Sequence, residues 1–242
     1  MLKNHYKDIA ENQDKLWWYL GMTEINNSLI RTFVPKKNNL KILDAGCGPG
    51  AMLPSLSKYG DALGIDLSDE ALTYARKRGS VEKGDVTSLN FKSGSFDVVV
   101  CLDVLYHMWV KDESIALKEF NRVLKYDGIL LLREPAYNWL RGNEDVGSLT
   151  KRRFQKKELK NKINNSSFKI LKISYANCFL FPLLLIVRIL TGLKKKRGSS
   201  DMHLPPFFIN QLLFQILKTE ASLLRFISFP FGSSLICVAQ KK

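Results

Sequence analysis

The sequence predicts a doubly wound α/β fold with a seven-stranded, mostly parallel sheet. Short apolar runs alternate with amphipathic stretches over the first 133 residues, and two further apolar runs follow in the second half of the chain. Such alternation is typical of parallel strands joined by crossover helices. A length of 242 residues suits one domain with appendages rather than two independent domains.

The predicted elements follow from the periodicity of the apolar residues. The first five strands centre on residues 41–43, 62–65, 81, 98–102 and 129–132, and the last two on 168–175 and 233–239. Helices are predicted over 51–58, 69–78, 112–124 and 207–226, and two N-terminal helices within 6–34 that break near Gly21. Ser68 has the chemistry of a helix N-cap.

We expect one domain in three parts. Residues 1–38 form a helical cap, residues 39–133 a cofactor-binding core, and residues 134–242 the last two strands. The interval between those strands is too long for an unstructured loop in a compact domain. The pattern therefore predicts a helical insertion over about 178–230.

The positive charge is concentrated in one segment. Residues 151–199 hold 14 basic residues against one acidic residue, Glu158, and so account for +13 of the net charge of +14. Within this segment an apolar run at 178–190 precedes four consecutive basic residues, 194–197. The run is shorter than the roughly 20 residues of a membrane span. A surface helix on anionic lipid, a lid over a site and a packed helix followed by a solvated charge run all fit this pattern.

The cysteines and the start of the sequence bear on the compartment. The four cysteines form no CxxC pair and have no histidine at ligand spacing, which predicts free thiols and no metal site. No apolar segment follows the basic residues at the start, so we expect no secretory signal. We therefore expect a cytoplasmic protein, with peripheral association on the inner face of the membrane.

The strongest motif is KILDAGCGPG, residues 41–50, in which an apolar strand runs into a glycine-rich turn. Glycines 46, 48 and 50 permit positive φ and close approach of a ligand to the backbone. Asp66 ends the next strand, where a carboxylate can accept hydrogen bonds from ribose hydroxyls. The loop also fits the GxGxxA pattern of dinucleotide enzymes, but Asp44 would repel a pyrophosphate and attract the ammonium of an amino-acid ligand.

These residues resemble the class I S-adenosylmethionine-dependent methyltransferases, which have a Rossmann-like fold. The family's acidic glycine loop, the acidic end of its second strand and the acidic residue after its third strand match DAGCGPG, GID and GDV. The resemblance implies S-adenosylmethionine as cofactor and S-adenosylhomocysteine as product. It implies cofactor contacts from the following residues: Asp44, Gly46, Cys47, Gly48, Gly50, Asp66, Leu67, Asp85, Val86, Leu102 and Asp103.

The chain also resembles a subgroup of bacterial and archaeal methyltransferases associated with cell-surface glycans and glycolipids. The similar motifs are WWYLG near the start, and SDMHLPPFFIN and FPFGSSL near the end. The resemblance implies that Trp18 covers the cofactor or the substrate. Tyr106 stands where such relatives often have Glu, and TKRRF replaces their HxRRY-like motif.

The expected chemistry is an aligned displacement that requires few catalytic side chains. His107, at the carboxyl end of the fourth strand, is the candidate base, and Tyr106 and Asp103 are candidates for direct roles. Simple packing or capping of the loop remains an alternative for all three. We expect a small-molecule, glycan or lipid-linked acceptor. An RNA methyltransferase using residues 151–198, and a binding protein without turnover, remain the alternatives.

Overall fold

The computed structural model describes residues 1–37, 39–191 and 204–242. The strands are β1 (Leu40–Ala45), β2 (Gly60–Asp66), β3 (Ser80–Lys83), β4 (Phe96–Leu102), β5 (Leu124–Pro135), β6 (Phe168–Ala176) and β7 (Ser234–Lys241). The helices are α1 (Lys3–Asn12), α2 (Trp17–Phe33), α3 (Leu53–Leu56), α4 (Asp69–Ala75), α5 (Glu113–Val123), α6 (Asn143–Gly147), α7 (Lys156–Asn164), α8 (Phe181–Thr191) and α9 (Phe207–Leu224). A 3-10 turn covers Asn138–Leu140.

The seven strands form one sheet in the order β3-β2-β1-β4-β5-β7-β6. Strands β1 to β5 pair in parallel, and β7 runs antiparallel to both of its neighbours. The strand order reverses between β1 and β4. Doubly wound sheets bind ligands at such a switch point, outside the carboxyl ends of the strands. The predicted fold class is confirmed.

The central strands are buried on both faces. Side chains of β4 alternate, so that Val99 and Cys101 belong to one apolar cluster, and Val98 and Val100 to the other. Helices α5 and α7 cover the first cluster, while α2 and α9 cover the second. This two-sided burial explains why the strands appear in the sequence as nearly continuous apolar runs.

The prediction that the N-terminal helices break near Gly21 is wrong. The break lies at residues 13–16, and α2 continues through Gly21. Gly21 faces α9 so closely that an added Cβ would lie 2.6 Å from Cβ of Leu217. The glycine therefore serves close packing of two helices rather than a turn.

The insertion between β6 and β7 contains α8 and α9, as predicted. Glu220 of α9 is fully buried, and its Oε2 accepts hydrogen bonds from the backbone N–H groups of Cys178 and Phe179, at 2.8 and 3.0 Å. This carboxylate joins the start of the insertion to its last helix. The basic run at 194–197, and residues 200–203 of the SDMHLPPFFIN motif, lie outside the described residues.

The remaining elements differ modestly from the prediction. The helix expected over 51–58 is only the single turn Leu53–Leu56, and α6 and α7 were not predicted. Ser68 is the N-cap of α4, with its hydroxyl accepting from the Ala71 N–H at 3.3 Å. The N-cap prediction is confirmed.

We expect Gly21→Ala to destabilise the protein by about 1–3 kcal/mol, because the added methyl group overpacks the α2–α9 contact. In an exposed helix the same substitution would stabilise. The measurement is urea unfolding. The stability loss of the Gly21→Ala/Leu217→Ala double variant should be smaller than the sum of the two single losses, so strictly additive effects would contradict this account.

Candidate cofactor and acceptor site

The glycine loop after β1 turns tightly against β2. The backbone N–H groups of Gly46 and Cys47 both donate to the Ile65 carbonyl at 2.8 Å. Gly46, Gly48 and Gly50 have φ of 82°, 53° and 87°. A Cβ on Gly46 would lie 2.9 Å from Val104 Cγ1, whereas a Cβ on Gly48 would have no atom within 4 Å. Gly48 therefore faces open space that a ligand can fill.

Asp44 is a buried carboxylate that lacks a full set of partners. Its side chain ends β1, the residue is only 3% exposed, and Oδ2 has no hydrogen-bond partner. Burial and the nearby Asp66 raise the pKa of Asp44 to about 7, although Arg133 acts in the opposite direction. An orphaned buried acceptor of this kind suits a bound cationic group. The predicted ammonium contact fits this position.

Asp66 is held rigidly at the end of β2. Its Oδ2 accepts from the Gly48 N–H and its Oδ1 from the Ser68 N–H, both at 2.9 Å. A carboxylate oxygen can accept more than one hydrogen bond, so both oxygens of Asp66 can still accept from the hydroxyls of a ligand. The side chain of the next residue, Leu67, is exposed. Its position suits an apolar contact beside the ribose site.

Tyr6 of α1 lies against the same loop. Its hydroxyl interacts with Ser68, and burial together with the charge of Asp66 raises its pKa to about 12. Helix α1 therefore covers the end of β2. Tyr6 was not predicted as a site residue, because its place in an amphipathic helix offers no signal of a site.

Asp85 and Val86 follow β3. Asp85 Oδ1 accepts from both the N–H and the hydroxyl of Thr87, at 2.8 and 2.7 Å. The Val86 side chain is buried in the core. Only the backbone of Val86 can thus face a ligand, as the predicted adenine contact requires.

The end of β4 meets the end of β5 through an ion pair. Asp103 has a positive φ of 57°, and its N–H donates to the Arg133 carbonyl at 2.7 Å. Its Oδ2 pairs with Arg133 Nη2 at 2.5 Å. The Arg133 guanidinium also lies over the Trp18 ring, 5.5 Å from its centre. The structure thus brings Trp18, Asp103 and the neighbouring Leu102 to one edge of the sheet.

Glu134 organises the segment after β4 and was missed. It is fully buried, and its two oxygens accept from the N–H groups of residues 104, 105 and 106 at 3.3, 2.8 and 3.1 Å. Burial and Asp103 raise the pKa of Glu134 well above its usual value. A charged pair at the end of the apolar strand LLLREP was the signal that could have indicated it.

His107 is buried and oriented. Its Nδ1 lies 2.6 Å from the Ser148 carbonyl, which can only accept, so Nδ1 carries a proton. Burial lowers its pKa to about 4, which leaves the ring neutral with Nε2 unprotonated. The Tyr106 ring lies 4.2 Å from the His107 ring, and burial raises the pKa of the Tyr106 hydroxyl.

The other predicted features concern thiols, metals and membranes. Cys47, Cys101, Cys178 and Cys237 are free and buried, and burial raises the pKa of each thiol. Among the described residues, no group of three metal-ligating side chains could hold an ion. Within the same residues, no helix is long and apolar enough to cross a membrane.

The central part of the chain matches a known family model. Residues 43–132, which include the second half of β1, the glycine loop and most of β5, match the model of a methyltransferase domain. This central segment is therefore similar to methyltransferase domains. The family and the fold imply S-adenosylmethionine as methyl donor and S-adenosylhomocysteine as product.

Curated methyltransferases match the chain over segments of similar length. A malonyl-[acyl-carrier protein] O-methyltransferase of Erwinia billingiae is 31% identical over 117 residues, which is 47% of this chain and 46% of the relative. A sterol 24-C-methyltransferase of Aspergillus fumigatus is 33% identical over 115 residues, 43% of this chain and 29% of the relative. The chain thus spans half or less of the length of these relatives.

Solved structures share the whole fold. A Mesorhizobium loti S-adenosylmethionine-dependent methyltransferase has a TM-score of 0.59 at 16% identity, covering 95% of this chain and all of its own. A Haloferax volcanii complex of a methyltransferase and its activator gives 0.62 at 18% identity, covering 97% and 96%. At such identities the likeness shows the fold alone.

We expect Asp44→Asn to raise the melting temperature at pH 8 by roughly 5 °C, because it removes a buried charge. The pKa of Asp44 is higher in the folded than in the unfolded chain. Folding therefore takes up a proton, and the stability of the wild type falls relative to the variant as pH rises from about 4 to 7.

The measurement is thermal unfolding at several pH values. Asp61→Asn, an exposed change in the same sheet, is the control and should melt like the wild type. A lower melting temperature for Asp44→Asn at pH 8 would contradict the burial of an uncompensated charge.

Proposed function

We propose that this protein is an enzyme that transfers the methyl group of S-adenosylmethionine to an acceptor. The observation that supports this best is the buried Asp44 carboxylate, whose Oδ2 has no hydrogen-bond partner, beside an open glycine loop in the segment that matches the methyltransferase family model. A dinucleotide enzyme would place a pyrophosphate at this point, where the carboxylate repels it. An amino-acid ammonium supplies the missing partner.

The remaining cofactor roles follow from position. Asp66 would accept hydrogen bonds from the ribose hydroxyls, and Asp85 would accept from the adenine amine through the oxygen that Thr87 leaves available. Gly46, Cys47, Gly48 and Gly50 would form the loop under the amino-acid part. Leu67, Val86, Leu102, Asp103 and Trp18 would complete the walls. The cofactor, when bound, supplies an electrophilic methyl group.

His107 is the proposed base for a hydroxyl or amine acceptor. Its Nδ1–H is held by the Ser148 carbonyl, which leaves Nε2 as the proton acceptor. A neutral ring with a pKa of about 4 keeps this nitrogen unprotonated at neutral pH. Tyr106, packed against the ring, would fix its orientation. Because the base is weak, it suits a reaction in which the acceptor loses its proton only after its bond to the methyl carbon has largely formed.

The proposed acceptor is a small molecule, a glycan or a lipid-linked intermediate met at an anionic membrane surface. Helix α8 supports the membrane contact, since Leu183 and Ile186 are 50% and 55% exposed. Charge supports it too, because residues 151–199 carry most of the positive charge of the chain. A peripheral position on the inner face of the membrane follows from this proposal. RNA as acceptor is not favoured by the relatives.

Calorimetric titration tests the cofactor. We expect micromolar S-adenosylmethionine binding by the wild type, and a loss of at least about tenfold in affinity for Asp66→Asn, since the variant loses charge at the ribose hydroxyls. Asp61→Asn at the other end of β2 should bind normally. Binding of NADH instead of S-adenosylmethionine would overturn the proposed function.

Vesicle flotation tests the membrane contact. We expect the wild type to float with phosphatidylglycerol vesicles and not with phosphatidylcholine vesicles, and Leu183→Ser/Ile186→Ser to float less. Tyr126→Ser, an exposed change at the amino end of β5, is the matched control. Equal recovery with both lipids would refute the membrane contact while leaving methyl transfer intact.

A further inference from the structure

A shallow groove, wide open to solvent, lies beside the segment that follows β4. It has a volume of about 570 Å³ and is lined by Asn138, Arg141, Lys151 and Arg152. Three of its four lining side chains are thus cationic. None of the four belongs to the proposed cofactor site, which lies at the ends of β1 to β4.

Arg141 and Lys151, two of the three cations of the groove, are held mainly by backbone carbonyls. Arg141 Nη2 donates to the Lys151 carbonyl. Lys151 Nζ donates to the carbonyls of Lys111 and Val110 at 2.6 and 3.3 Å. Backbone carbonyls orient these side chains but do not neutralise them. The groups therefore keep their attraction for an anion.

The carboxylates nearby are too few for the cations. Glu113 is shared, since its oxygens lie 3.4 Å from Lys151 Nζ, 3.6 Å from Arg152 Nη1 and 3.1 Å from Lys162 Nζ. Arg152 also pairs with Glu158. In the ion pairs that the structure describes here, two carboxylates pair with three cations, namely Lys151, Arg152 and Lys162. Arg141 is a fourth cation of this region. The groove is left with a surplus of positive charge.

The groove adjoins the predicted acceptor side. The N–H of Lys151 donates to the Tyr106 carbonyl at 2.9 Å, and Thr150 forms a bridge with His107. On the other side, Arg188 Nη1 of α8 donates to the Arg141 carbonyl at 3.1 Å. The groove thus lies between the candidate base and the exposed apolar helix.

Neutral groups at the groove can complete an anion site. The Asn138 amide oxygen accepts from the Arg153 N–H at 2.8 Å, so its NH₂ group is the part that can donate to a ligand. Next to it, the Trp139 ring is 64% exposed and stacks on Tyr137 at 5.4 Å. An exposed ring beside guanidinium groups offers a flat surface to the organic part of an acceptor.

We propose that this groove binds a phosphate group of the methyl acceptor, with Arg141 as the main ligand. That the ligand is the methyl acceptor rests on the proposed methyltransferase function. The binding of an anion in the groove does not depend on that function. A planar guanidinium matches two phosphate oxygens at once, which an ammonium cannot do. The acceptor is therefore a phosphorylated compound, either soluble or carried by a lipid headgroup.

Titration of inorganic pyrophosphate into the 242-residue chain, repeated at several NaCl concentrations, tests the site. We expect binding by the wild type that weakens as NaCl rises. For Arg141→Gln, which keeps an NH₂ donor for the Lys151 carbonyl, we expect a loss of at least about tenfold in affinity. Arg225→Gln, an exposed arginine outside the groove, is the matched control. No binding by the wild type, or equal affinity of the wild type and Arg141→Gln, would overturn the proposal.

Two further measurements separate the causes of a failure. Arg141→Gln should bind S-adenosylmethionine like the wild type. Loss of both ligands would show that Arg141 acts through folding, and would overturn its role as a phosphate ligand. A wild type that binds pyrophosphate but no S-adenosylmethionine would support the anion site and overturn the methyltransferase function.

Vesicles identify the source of the phosphate. If it belongs to a lipid headgroup, pyrophosphate should reduce flotation with phosphatidylglycerol vesicles, and Arg141→Gln should float less than Arg225→Gln. If the phosphate belongs to a soluble compound, the two variants should float equally while still differing in pyrophosphate affinity. Either result supports the groove as a phosphate site.

Discussion

The ion pair between Arg133 and Asp103 is the interaction on which the candidate site depends. Several acidic groups, Asp44 and Glu134 among them, meet at the carboxyl edge of the sheet, where burial makes each negative charge unfavourable. The Arg133 guanidinium lowers this cost by pairing with Asp103 and opposing the rise in the pKa of Asp44. Its other face lies over Trp18. One cation therefore connects β4, β5 and the N-terminal cap.

Polar contacts hold the N-terminal cap over the carboxyl edge of the sheet. The turn that follows α1 is held by the bidentate contact of Arg78 with Asp14, at 2.6 and 2.8 Å. At the start of α1, His5 Nε2 lies 3.3 Å from the Ser148 hydroxyl. Ser148 also orients His107 through its carbonyl. The cap, the candidate base and the loop after β5 thus share one hydrogen-bonded network, and a ligand below α1 would be shielded from water.

The insertion supports the cap and borders the acceptor side. Helix α9 packs on α2 through the close contact at Gly21, and Asn210 binds the Trp17 N–H at 2.9 Å and the Lys15 carbonyl at 2.8 Å. Helix α8 instead reaches the groove through Arg188. One segment of sequence therefore stabilises the N-terminal cap with one helix and exposes apolar side chains near the groove around Arg141 with the other.

Much of this could be predicted because it depends on local patterns. Apolar runs marked all seven strands, and glycines with an acidic residue at each strand end marked the cofactor loop, since a tight turn and a ribose contact need those residue types at fixed spacing. Gly21 misled the prediction, because a helix-breaking residue and a close-packing residue look alike in sequence. The position of the helix break depended on a partner helix about 200 residues away.

The sequence by itself determined the fold class, the glycine loop and the acidic positions Asp44 and Asp66, because each is set by short-range spacing on consecutive strands. Only the tertiary structure decided the roles of Arg133, Glu134 and the groove around Arg141. Their partners come from distant segments, and a side chain's charge in the sequence does not reveal whether burial, an ion pair or open solvent will surround it.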